Sequence, residues 1–165
     1  MRGRFISKTK DGFDWKGFQE YMNYTDEQLE AVKNDPKRRE FVENSCTEER
    51  NRKYLVAEVI AIEGGCMAGL EPGDHIVYRG MDELVPELST SWCPYIQNTF
   101  WFTNNARVFL NNGVDPNASY VPFSGCMDTG TEHGFGRAIF DTYVLDESEL
   151  YKLEEKKRRL TKSKA

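Results

Sequence analysis

Polar and apolar positions change rhythm twice along this chain. Residues 14–52 are mostly polar, and their signals are helical. "TDEQ", Thr25 to Gln28, has the form of a capping box: the Thr25 hydroxyl takes a free backbone N–H and Gln28 reaches back. The helix it opens stops near "NDP". Asp35 with Pro36 starts another, because proline suits the first turn. "KRREFVENS" continues that helix, with Phe41 and Val42 expected on its apolar side. A segment of this texture wraps around a core rather than forming one.

The rhythm becomes strand-like at "KYLVAEVIAIEGG". Leu55, Ala57, Val59 and Ala61 alternate with Val56, Glu58, Ile60 and Ile62, and the β-branched content predicts a strand buried in part on both faces. "GGCMAGLEPGD" reads as a turn region with Pro72-Gly73 at its tip, and "DHIVYRG" as a second strand ended by Gly80. The longest helix follows. "STSWCP" supplies its cap, with Pro94 near the first turn; Trp92, Ile96, Phe100, Ala106 and Leu110 fall near helical spacing. Tyr95, Phe102 and Phe109 widen that stripe, and Gly113 suits the left-handed position after its end.

Two more strands are predicted, "SYVPF" over 119–123 and "FGRAIFDTYVL" over 135–145. In the second, Ala138, Phe140, Thr142 and Val144 share one face, and Arg137, Ile139, Asp141 and Tyr143 the other. "DESE" opens a last helix from Asp146 to about Leu160, with Leu150, Leu153 and Leu160 as its apolar edge. Its basic end, "KKRRLTKSKA", complements a helix C-terminus; it reads as a solvated end or as a docking tail for an acidic partner. The expected fold is α+β: a small sheet of about four strands packed on one long aromatic helix. The organisation is a helical arm (1–52), an α+β core (53–146) and a charged terminal helix (147–165), a single domain overall.

Composition narrows the class. Charged residues make up 30% of the 165 and hydrophobic ones 39%, which fits a soluble protein. A formal charge of −5 argues against nucleic acid, which wants a basic surface. No apolar run approaches the roughly 18 residues of a membrane span, so no membrane partner is expected. "MRGRFISKTKDGFDW" is basic without an apolar core, so the expected compartment is the cytoplasm. "NAS" at Asn117 fits the glycosylation sequon, a chance match without a signal peptide. The aromatic share of 13% is high, and aromatic side chains dominate both cores and interfaces.

Candidate chemistry gathers around the cysteines. They stand at 46, 66, 93 and 126, never as CxxC, and in a reducing compartment they are thiols. Closely spaced zinc-ligand pairs are missing; a dispersed site for a divalent metal such as zinc or iron is the remaining metal reading. "SGCMDTGTEHGFGR", Ser124 to Arg137, concentrates a thiol, two carboxylates and His133 among glycines that let the backbone approach a ligand. It lacks the Walker Lys-Ser/Thr pair and does not match GxGxxG between strand and helix. His133 as acid or base, oriented by Asp128 or Glu132, would suit proton transfer near neutral pH. The blander reading makes Asp128 and Thr129 an Asx-type turn, Cys126 a small buried hydrophobe and His133 a rim residue.

One repetition favours a site. "GGCMAG" (64–69) and "SGCMDTG" (124–130) share Gly-Cys-Met, and each is followed by a histidine, His75 and His133. If the two loops face one another, Cys66 and Cys126, with His75, become candidate metal ligands. Cys93, expected at a helix N-terminus, becomes the candidate reactive thiol. No GxSxG elbow is present, which argues against a serine hydrolase.

"VAEVIAIEGGCMAGLEPGDHIVY", a "CP" opening an aromatic helix, and "VPFSGCMDTG…GFGRAIFD" resemble a family of small bacterial cysteine-containing proteins. That family is common in anaerobes and carries no established activity. The resemblance covers residues 54–145. It implies a compact α+β domain found near anaerobic metabolic systems, with Cys66, Cys93 and Cys126 as members of the pattern.

Three functions follow as expectations. The first is an accessory subunit of a larger cytoplasmic enzyme, with anaerobic aromatic or carboxyl metabolism as its expected setting, partnered by a larger chain or by copies of itself. The second is a stand-alone lyase or isomerase with His133, Asp128, Glu132 and Cys93 at its site. The third is a metal-binding module on Cys66, Cys126 and His75.

Overall fold

In the computed structural model, residues 5–7, 12–80, 82–90, 92, 93, 96, 99–118 and 123–156 are described. They fall into two units, one ending at Arg52 and one beginning at Lys53. Pro94, Tyr95, residues 119–122 and Leu160 lie outside the described residues, as do the side chains of Phe100 and Phe102.

The first unit is helical, and each helix opens on a side chain that accepts a free N–H of its first turn. Asp14 opens α1 (Trp15–Met22), Thr25 opens α2 (Asp26–Lys33), Asp35 opens α3 (Pro36–Ser45) and Thr47 opens α4 (Glu48–Asn51). The Thr25/Gln28 capping box is present, and Pro36 stands in the first turn of α3. Phe5, Phe13, Trp15 and Tyr24 surround the buried Phe18, ring centroids 5.7 to 6.0 Å from it. Phe41, expected on an apolar face, is exposed.

The second unit is a five-stranded antiparallel sheet in the order β3-β2-β1-β5-β4, so the fold is α+β. The strands are β1 (Lys53–Gly64), β2 (His75–Arg79), β3 (Glu83–Leu84), β4 (Phe123–Gly125) and β5 (Gly136–Asp146). β1 lies at the centre because its apolar run can be covered on both sides: Leu55, Val56, Ala57 and Val59 are buried. Leu55, Val56 and Val59 contribute about 1.5–3 kcal/mol of burial each. The fifth strand, β3, was not expected. It is two residues long and is pinned by a two-pronged ion pair between Arg79 and Glu83.

The register corrects one expectation in β1. Val59 pairs with Phe140 but Ala61 pairs with Ile139, so Ile60 has no partner and bulges outward. The alternation therefore reverses after Val59: Ile62, not Ala61, joins the cluster of Ala57, Val59, Ile76 and Phe140. Beyond the short reach of β4, the β5 edge is held by a side chain. The Asn117 amide donates to the Val144 carbonyl (2.9 Å) and accepts the Val144 N–H (2.7 Å), doing what a neighbouring strand would do.

Of the expected long helix, α5 is described over Thr99–Asn111. Ahead of it, the Cys93 carbonyl accepts the Ile96 N–H (3.0 Å). Ala106 and Leu110 of α5 pack on Leu55 and Val144. On the opposite sheet face, Leu150 and Leu153 pack on Tyr54, Val56, Val77 and Leu145. Residues 151–156 are helical.

A candidate binding cavity between two Gly-Cys-Met loops

β1 and β5 reach the end of their pairing at glycines in register, Gly64 opposite Gly136. A Cβ on Gly136 would stand 2.1 Å from the Gly65 carbonyl oxygen and 2.6 Å from that of Glu63. The strands close this tightly because both positions lack side chains. Both Gly-Cys-Met loops start from this end of the sheet. Cys66 sits in the turn after β1, its carbonyl accepting the Gly69 N–H. Cys126 extends the β4–β5 ladder: its N–H donates to the Ala138 carbonyl (2.9 Å), and its Sγ accepts the Ala138 N–H (3.3 Å).

The two loops line one cavity of about 570 Å³, together with Cys93 and Ile96. Cys66, Cys93 and Cys126 are all among its lining residues. Leu70, Cys93, Ile96 and Ala138 are buried wall residues, Cys66 and Cys126 are half-buried, and Met67, Met127 and Phe135 stand exposed around the mouth. Asp128 is the charged residue of the lining.

Asp128 is committed to the loop backbone. Its carboxylate accepts the N–H groups of Gly130 (3.0 Å), Phe135 (3.4 Å) and Gly136 (3.4 Å), which folds residues 128–136 back on themselves. It therefore shapes the cavity rather than orienting a histidine. Glu132 and His133 are exposed and stand outside the lining. Cys93 is buried in the wall, and the described part of the aromatic helix, α5, runs from Thr99.

His75 goes elsewhere. It pairs with Glu58 across β2 and β1, on the sheet face opposite the Ala57–Phe140 cluster. Both of its ring nitrogens are engaged by backbone carbonyls, Nδ1 with Gly73 (3.1 Å) and Nε2 with Leu88 (3.0 Å). It braces the β1–β2 turn against the 85–90 segment and has no nitrogen to offer a metal beside Cys66 and Cys126. Among the described residues, no three His, Cys, Asp or Glu side chains come together closely enough to hold a metal ion.

A second polar arrangement was not anticipated. Glu58 is buried on the face opposite the cavity; the Tyr143 hydroxyl donates to its Oε2 (3.0 Å), and the Lys156 ammonium pairs with it. Asp141 faces Glu58 across the strands. Burial first, and then the Glu58 charge, raise the Asp141 carboxyl above its ordinary value. The same two causes, in the same order, raise the Tyr143 phenol, which therefore remains a donor. The available signal was the lone acid in "YLVAEVIAI", a charge at the centre of an apolar strand.

Among the described residues, no helix is long and apolar enough to cross a membrane. No protein-family model, curated protein or solved structure matches this chain.

Proposed function

We propose that this protein binds a small, largely apolar molecule between its two Gly-Cys-Met loops. The observation that carries the reading is the cavity itself. Its volume of about 570 Å³ lies in the range of small-molecule sites, and its walls are aliphatic and sulfur-bearing. Large apolar side chains clustered at a mouth, as Met67, Met127 and Phe135 are, mark binding surfaces more often than scattered exposed ones do. Asp128 as the charged lining residue favours a neutral or cationic ligand over an anion.

A neutral apolar dye such as Nile red tests the reading by titration. Ala68 lines the cavity and is exposed, so Ala68→Trp narrows the mouth without overfilling the core. Binding should weaken by about tenfold or more while thermal stability stays unchanged. Equal affinity in the two proteins would place the dye elsewhere and remove the reading.

The exposed rim favours a second reading, an accessory subunit whose larger partner covers the mouth. Native mass spectrometry of the protein purified from its own host distinguishes them, by a second chain or by a small added mass. The acid–base reading of the 124–137 loop gains no support from this geometry, since His133 and Glu132 stand away from the lining.

A further inference from the structure

The cavity holds more sulfur than apolar packing requires. Three of the four cysteines line it, and two methionines flank the mouth. Aliphatic side chains would fill such walls equally well, so this grouping calls for a chemical reading. Of the three thiols, Cys93 is the most enclosed, whereas Cys66 and Cys126 are half-buried beside the opening. Cys126 has a further feature: the Ala138 N–H points at its Sγ from 3.3 Å, setting a fixed partial positive charge against the sulfur. This contact holds the sulfur at a fixed place in the cavity wall.

We propose that Cys126 captures the bound molecule covalently when that molecule is an apolar α,β-unsaturated carbonyl compound. This rests on the cavity being the ligand site and names the ligand's chemical class. The Cys126 sulfur adds to the β-carbon, so one S–C bond forms and the C=C π bond breaks. The thiol proton ends on the α-carbon. There is no leaving group and no change that needs an oxidant. The apolar wall of Leu70, Ile96 and Ala138 holds the hydrocarbon part of the molecule, and the local concentration of the alkene at sulfur raises the rate.

The fourth cysteine supplies an internal control. Cys46 belongs to the other unit, is half-buried and does not line the cavity. The probes are benzylideneacetone, an apolar enone, and iodoacetamide, a small polar alkylator, with adducts located by peptide mass mapping. The expected result is that the Cys126-to-Cys46 labelling ratio is at least about tenfold higher with the enone than with iodoacetamide. Cys126→Ser should abolish the preferred adduct, and Ala68→Trp, which leaves the thiol in place, should slow it. Equal ratios with the two probes would overturn the proposal. So would an enone that displaces Nile red without forming an adduct, and in that case the cavity reading would stand. An enone that neither displaces the dye nor adds preferentially at Cys126 overturns the proposal, whereas the cavity reading falls only if Ala68→Trp leaves Nile red affinity unchanged.

Discussion

Glu58 and Asp141 stand opposite one another on neighbouring strands, two carboxylates on one sheet face, and the Lys156 ammonium pairs with Glu58. The inner carboxylate, Glu58, is buried and takes both the Tyr143 hydroxyl and the lysine. The outer one bears the consequence: burial and the charge of Glu58 raise the Asp141 carboxyl. A raised acid contributes stability that is fully present below its unfolded value, about 3.9, and lost as pH rises through its folded value.

Asp141→Asn should therefore stabilise the protein at pH 7, by up to about 0.5 kcal/mol given the partial exposure of the group. The gain should vanish near pH 3, where the native carboxyl is protonated in both states. Urea denaturation at the two pH values measures this. An equal difference at both would show that the charge is not the cause.

Glu58 has the opposite character. Glu58→Ala leaves the half-buried Tyr143 hydroxyl without its acceptor and should cost about 1–2 kcal/mol, while Glu58→Gln, which keeps an acceptor oxygen, should cost less. Amide exchange over residues 151–156 should quicken in the alanine variant, because Lys156 loses its anchor. Unchanged exchange there would mean that Leu150 and Leu153 alone hold the segment.

Gly136 and Gly130 separate steric need from conformational need. Alanine at 136 would drive a methyl group into the backbone of Glu63 and Gly65, at a cost of about 2 kcal/mol or more, and should distort the cavity wall. Gly130 has positive φ but open space around its missing side chain, so Gly130→Ala should cost only about 1 kcal/mol of left-handed strain. Thermal melts rank the pair, and an equal cost would contradict the close approach at Gly64–Gly136.

Asn117→Ala removes both bonds to the Val144 backbone and should destabilise the second unit by about 2 kcal/mol. Asn117→Asp keeps an acceptor for the N–H but sets a carboxylate oxygen against the Val144 carbonyl. It should not rescue at pH 7. Full stability in the aspartate variant would show that the donated bond contributes nothing.

What could be read in the chain follows from the range of the interaction responsible. The helix caps at Thr25 and Asp35 act within three residues, and the inward alternation of β5 from Ala138 to Val144 is a local period; both were legible. The repeated Gly-Cys-Met pointed to a shared site, and Cys66 and Cys126 do line one cavity. The aromatic stripe is followed in part: α5 carries its second half, with Ala106 buried, and Ile96 is buried ahead of it, while Trp92 is exposed. β3 is too short to have a period. The roles of His75, Asp128 and Asn117 depend on backbone atoms brought to them by folding, which side-chain type alone does not reveal.

The unpaired Ile60 gives β1 twelve residues where β5 has eleven, and that surplus acts as a half-turn in the thread of the chain. The bulge absorbs it: Val59, Ala61 and Ile62 meet Phe140, Ile139 and Ala138 in turn, as though Ile60 were not there. Were Ile60 instead taken into the ladder, Ala61 would face inward and Ile62 outward. The approach to Cys66 would then shift to the face of the sheet that carries Glu58 and Tyr143. The cavity, and whatever it holds, depends on one isoleucine staying out of step with its partner strand.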